Sequence, residues 1–249
     1  MNPDNRDVKT VPTTFPGTLG KKSRPQTGGP ALWMLEQDRH LSVAEEFRSF
    51  KNKLLALQAE RSFRVFMLTG TERGVGTSAT AFNLGLTLAW DLAGEKTLLV
   101  DTHLDRPTLH TAFKIPATPG FLDCVLGQNP LAETVHRSQL AGLDLMPVGR
   151  RSSQSSLPFD MTAFTRFLST VRETYDIVLL DAAPVLRSSL TRMMAAKTDG
   201  VILVFEANRT RSEVVGAARS LLSSDGAHLL GGFLNRRRFV IPKWLYRYV

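Results

Sequence analysis

The residues of this chain best suited to chemistry lie in Thr69–Ser78, T-G-T-E-R-G-V-G-T-S, between the apolar run Phe63–Leu68 and a long Ala/Leu-rich stretch. Glycines at this spacing let backbone N–H groups curl around a phosphate chain, and the N-terminus of a following helix adds partial positive charge. In such a loop a lysine supplies the full charge, and the next Ser or Thr hydroxyl holds magnesium. Ser78 fills the hydroxyl position here, but Thr77 stands where the lysine is required. Residues Thr71, Glu72, Arg73, Gly74, Val75, Gly76, Thr77, Ser78 and Ala79 therefore keep the layout for binding phosphates and lack the charge that drives chemistry on them. Two carboxylates join them as candidates. Asp101 ends the apolar run T-L-L-V-D and Asp181 ends I-V-L-L-D.

The elements that must position these groups alternate along the chain. Strands are expected at Phe63–Thr69, Thr97–Asp101, Leu143–Pro147, Ile177–Asp181, Gly200–Glu206 and Leu229–Leu234. Helices are expected at Ser78–Ala93, near Gly120–Leu126, and at Thr162–Tyr175, Ser189–Lys197 and Arg211–Ser224. Several strands are apolar on both faces, as in a parallel sheet covered by helices on each side. The fold class is α/β, a doubly wound and mostly parallel sheet. In such sheets ligands bind where strand C-terminal ends meet the following loops, so Asp101, Asp181 and the glycine loop are expected to converge. Ahead of this core, Ser42–Glu60 places Val43, Phe47, Phe50, Leu54 and Leu57 on one side of a helix, with Ser42 as N-cap and Glu45 completing a capping box.

At 249 residues and 43% hydrophobic the chain suits one domain over residues 31–249. Residues 1–30 are rich in Pro, Gly, Thr and Ser without periodic apolar content, and read as a disordered tail. No run approaches the roughly 18 to 20 apolar residues of a membrane span, and a cytoplasmic location is expected. The lone cysteine, Cys124, reads as a small apolar residue.

The net charge of +8 sits at the ends. Residues 1–30 contribute +3, residues 236–249 contribute +5 through Arg236, Arg237, Arg238, Lys243 and Arg247, and the body is neutral. Basic ends on a neutral body favour an acidic partner or lipid surface over a nucleic-acid groove.

The glycine loop satisfies a rival pattern. Gly74–Ala79 fits the dinucleotide fingerprint G-x-G-x-x-G/A, and Asp101 follows at a distance suited to a ribose. T-G-T-E-R-G-V-G also resembles the start of short-chain dehydrogenases. Those enzymes need a catalytic Tyr-x-x-x-Lys pair, and none of Tyr175, Tyr246 and Tyr248 has a lysine four residues on. The order of glycine loop, strand-end Asp101 and strand-end Asp181 instead favours a P-loop protein.

From about Ser42 onward the chain resembles the bacterial tyrosine kinases (BY-kinases) of capsule and exopolysaccharide systems, and more distantly the Min/ParA/Mrp class of P-loop ATPases. Glu45, Arg48 and Lys51 look like the family's oligomerisation helix, with Lys in place of the last Arg. Thr71–Ser78 lies at Walker A, V-D-T-H-L-D-R-P at Walker A′ and L-L-D-A-A-P-V-L at Walker B, while G-G-F-L-N resembles the strand whose asparagine, here Asn235, contacts adenine.

The resemblance implies ATP or ADP with magnesium, metal contacts from Ser78, Asp101 and Asp181, and catalytic roles for the two aspartates. It further implies a homo-oligomer docked on an inner-membrane chain-length or co-polymerase protein, peripheral to that membrane, with Tyr246 and Tyr248 as candidate phosphosites. Departures fall on the working residues: Thr77 for the Walker A lysine, His103 and Asp105 within Walker A′, and Ser189 at another common aspartate. Loss of one preorganised charge-stabilising donor costs roughly 10²- to 10³-fold in rate, so weakened nucleotide binding and a regulatory, catalytically impaired protein are expected. An active tyrosine autokinase and a Min/ParA-like partitioning ATPase are the alternatives.

Overall fold

The computed structural model describes residues 41–92, 94–150 and 159–235. The tail at residues 1–30, Tyr246, Tyr248 and the basic residues after Asn235 lie outside these. Among the described residues seven strands form one sheet: β1 (Val65–Gly70), β2 (Thr97–Asp101), β3 (His136–Arg137), β4 (Leu143–Met146), β5 (Ile177–Ala182), β6 (Gly200–Glu206) and β7 (Leu229–Asn235). Their order is β3-β4-β2-β5-β1-β6-β7, and every pairing is parallel except β3 with β4. The strands expected from the apolar runs are all present. The antiparallel edge β3 was not expected, because two residues carry no period.

Among the described residues eight helices surround the sheet: α1 (Leu41–Arg61), α2 (Thr77–Asp91), α3 (Leu109–Phe113), α4 (Phe121–Val125), α5 (Leu131–Thr134), α6 (Met161–Thr174), α7 (Ser189–Ala195) and α8 (Ser212–Ser224). The short α3 and α5 are further additions to the expected set. Alternation along the central strands sorts the core into two layers. Val65, Met67, Val178, Leu180 and Val201 pack with α4, α6, α7 and α8, whereas Phe66, Leu68, Ile177, Leu179 and Ile202 pack with α1, α2 and α3. Every residue of β1 and β5 is buried, which explains why their sequences lack polar alternation. Cys124 is a half-buried free thiol whose pKa burial pushes up, consistent with its apolar reading.

Helix α1 is described from Leu41 onward, and the expected Ser42–Glu45 box rests on the Ser42 side chain, which lies outside the described residues. The apolar side is otherwise as expected: Phe47 and Leu54 are buried, and Phe47 and Phe50 rest on Phe233 of β7 with ring centroids 5.4 and 5.1 Å away. Lys51 donates to Asp91 at the end of α2 at 2.7 Å, and Arg48 lies 3.7 Å from the same carboxylate. At the N-terminal end of the sheet Asp199 accepts from Arg64 N, Val65 N and both Arg172 terminal nitrogens. Burial alone would raise the Asp199 pKa, but Arg172 and the two amides outweigh it and hold it below its usual value.

Candidate phosphate and metal site

The glycine loop joins the C-terminal end of β1 to α2. Gly74 has φ 80° and Gly76 φ 90°, in the left-handed region that glycine enters at no steric cost. Gly76 serves as the N-cap of α2, and its left-handed turn directs the chain into the helix. The first N–H groups of a helix have no intrahelical acceptor, which leaves Thr77, Ser78 and Ala79 pointing donors toward the loop. Thr71 N is already committed to Val204 O at 3.0 Å, so it helps fix the loop instead of facing a ligand. Its hydroxyl is buried without a partner.

Val75 is buried, while Glu72, Arg73 and Gly74 are exposed along the outer curve. Thr77 Oγ1 lies 2.6 Å from where a Cβ on Gly70 would sit, so the threonine folds back over that glycine. The base of the loop is pinned from β5, since Val185 N donates to Gly70 O and Thr69 Oγ1 donates to Ala183 O.

Asp101 and Asp181 are partners in the β2–β5 register and, by strand alternation, face the side of the sheet that carries α2. Both are fully buried, yet their environments differ. Asp101 accepts from three main-chain amides, His103 N on Oδ1 at 3.0 Å and Thr108 N and Leu109 N on Oδ2 at 2.8 and 3.0 Å. Burial raises its pKa, with these amides opposing. Neither carboxylate oxygen of Asp181 has a hydrogen-bond partner. Burial first and the Asp101 charge second push the Asp181 pKa well above the ordinary carboxylate range. The Ser78 hydroxyl on α2 pulls the other way without closing a bond of ordinary geometry, so it lies on the Asp181 side of the helix.

A buried carboxylate without donors destabilises the fold unless it is protonated or neutralised by a cation. Magnesium suits this donor set, because it takes one or two carboxylates, water and phosphate oxygens in place of an all-protein cage. Among the described residues no group of three or more His, Cys, Asp or Glu side chains could hold a metal ion, at this site or elsewhere.

His103 is half-buried on the loop after β2. Burial pushes its imidazole pKa down, Asp101 opposes that shift, and Nδ1 accepts from Arg106 N at 3.1 Å. Asn235, at the end of β7, donates from Nδ2 to Val75 O at 2.8 Å and abuts Gly76. The structure thus brings Thr71–Ala79, Asp101, Asp181 and Asn235 into one region, and leaves Glu45, Arg48 and Lys51 apart on α1 against α2. Sequence reasoning missed the three-amide clamp on Asp101; the available signal was Pro107 just ahead of α3, which marks a helix start beside the acid.

Comparison with known proteins decides among the readings of this geometry. The profile of the AAA domain family matches residues 64–217. The chain is 26% identical over 195 residues to tyrosine-protein kinase YwqD of Bacillus subtilis, covering 78% of this chain and 81% of that protein. It superimposes on the crystal structure of the chimerical protein CapA2B2 with TM-score 0.74 and 26% identity, over 83% of this chain and 89% of the other. The VpsO kinase domain gives TM-score 0.65 and 30% identity over 80% of this chain and all of that one. The chain belongs to the bacterial tyrosine-kinase family. Its sheet is that of a P-loop NTPase, and the dehydrogenase reading falls away. Within this BY-kinase fold, Thr77 occupies the first position of α2, where the loop lysine would project. Among the described residues no helix is long and apolar enough to cross a membrane.

Proposed function

We propose that this chain binds a nucleoside triphosphate with magnesium in the β1–α2 loop and acts in capsule or exopolysaccharide synthesis or export, with phosphoryl transfer strongly impaired. The observation that carries the reading is the buried Asp181 carboxylate, unpartnered on both oxygens, beside Asp101 and under the helix that bears Ser78. A magnesium ion held there would supply Lewis-acid stabilisation of negative charge on the phosphate. Ser78 and Asp181 would hold that cation, with Asp101 ordering its water while its amide bonds keep residues 102–109 in place. The N–H groups of Gly74–Ala79 would surround the phosphates. Asn235 would contact adenine from the position where it now braces Val75.

Impairment follows from Thr77. Phosphoryl transfer depends almost entirely on positioning and electrostatic stabilisation, and the missing lysine is a preorganised cation at the moving charge. Binding needs the amides and the metal; turnover needs the lysine as well. In this reading the protein works as a regulatory subunit, docked on an inner-membrane co-polymerase and assembled with copies of itself through Glu45, Arg48 and Lys51. Since Arg48 and Lys51 are paired with Asp91, assembly through them requires a neighbour to compete for those cations.

The test combines two readouts on purified full chain. Magnesium-dependent ATP binding with no phosphate appearing on Tyr246 or Tyr248 supports the reading. Phosphotyrosine that vanishes in Asp181→Ala establishes an active autokinase instead, and absence of ATP binding at millimolar concentration overturns the nucleotide site.

A further inference from the structure

The phosphate loop lacks a lysine at Thr77, yet it carries a cation of its own, Arg73. Sheet order decides where that cation stands. β5 lies between β1 and β2, so Asp181 ends the strand that separates the loop after β1 from the loop after β2. Arg73 belongs to the first of these loops and His103 to the second. The two residues therefore flank the mouth above Asp181 from opposite sides.

Their proximity is also electrical. Burial is the first cause of the lowered His103 pKa, and the Arg73 guanidinium adds to that shift across the end of β5. Exposed charges more than about 8 Å apart are largely screened by salt, so a guanidinium felt at His103 lies on the mouth side of its loop. Glu72 and Asp105, the acids of these two loops, do not come within ion-pair distance of it.

The mouth has need of such a group. Asp101 and Asp181 already place two buried carboxylates beneath it, and a triphosphate brings further negative charge. In the nucleotide reading, on which this inference rests, Ser78 and Asp181 mark where the outer phosphates belong, between Arg73 and His103. The amides at the start of α2 are neutral donors that serve diphosphate and triphosphate alike. A guanidinium instead forks onto two oxygens of one phosphate, and a diphosphate lacks the outermost one.

We propose that Arg73 supplies the cation for the terminal phosphate of a nucleoside triphosphate, in place of the lysine absent at residue 77, and makes the site discriminate triphosphate from diphosphate. A grip from the rim of the loop holds that phosphate in the ground state, which confers affinity without turnover. The site then reads nucleotide state while Thr77 keeps transfer slow.

Calorimetry of the full chain with ATP and with ADP, each with magnesium, tests it. Wild type binds ATP about tenfold or more tightly than ADP, since a charge-assisted bond is at stake. Arg73→Ala lowers ATP affinity about tenfold or more and ADP affinity less than about threefold, which erases the preference. Arg73→Lys keeps the charge, loses the fork and falls between the two. Without nucleotide, Arg73→Ala melts at the wild-type temperature, because the residue is exposed.

An Arg73→Ala protein that retains the ATP preference overturns the inference and leaves the nucleotide site standing. Equal losses for ATP and ADP overturn it as well, as does a nucleotide-free Tm several degrees below that of wild type, which makes Arg73 a structural residue. Wild type that binds neither nucleotide overturns the site and the inference together.

Discussion

Replacing Gly76 and Gly74 separately with alanine probes how the phosphate loop is built. Both residues have positive φ, 90° and 80°, and an L-residue held in the left-handed region costs roughly 1–2 kcal/mol. At Gly74 nothing lies within 4 Å of the added methyl, so that backbone term is the whole cost. At Gly76 the methyl runs into the Asn235 carboxamide, which must swing away and give up its 2.8 Å bond to Val75 O. A lost neutral hydrogen bond adds about 1 kcal/mol, bringing Gly76→Ala to about 2–3 kcal/mol.

For a chain of this size each kcal/mol shifts Tm by roughly 2–4 °C. Gly74→Ala should therefore lower Tm by a few degrees, and Gly76→Ala by clearly more, with urea unfolding confirming the order. On an Asn235→Ala background the two glycine substitutions should cost nearly the same, because the clash has gone. Equal losses in the wild-type background, or a milder effect at Gly76, would refute the placement of Asn235 against the loop.

Other expectations follow from the same geometry. Thr77→Lys returns a cation to the first residue of α2; a charge-assisted bond to phosphate contributes roughly 1.5–3 kcal/mol, so ATP affinity measured by calorimetry should rise at least about tenfold. Asp181 has a raised folded-state pKa, so its contribution to stability is fully present below the unfolded pKa near 4 and is lost as pH rises through the folded value. Asp181→Asn should flatten that decline in thermal melts and stabilise the metal-free protein at neutral pH by on the order of 1 kcal/mol. Asp91→Ala leaves Lys51, with a side chain 11% exposed, without its 2.7 Å partner; it should loosen α1, seen as faster amide exchange over residues 45–61 with α6 unaffected.

Much of the fold was legible because its signals are long. The six-residue runs of β1 and β5 are apolar throughout and bounded by turn residues, which only a helix-covered parallel sheet accommodates. Elements of two to five residues, β3, α3 and α5, carry too few periods to register; β3 is held by its neighbour β4 and the start of α3 by Asp101, partners that no residue pattern marks. At the site, residue types announced the loop and the two strand-end carboxylates, but not their division of labour. That division depends on which amides reach Asp101 across residues 103–109, a matter of chain path.

Calorimetric titration of the full chain with magnesium and ATP, beside Asp181→Asn and an NADP control, reaches the central claim most directly. The account predicts saturable heat with ATP that requires magnesium, a marked loss of affinity in Asp181→Asn, and no heat with NADP. ATP binding that is indifferent to both magnesium and Asp181, or no ATP binding at millimolar concentration, would contradict it.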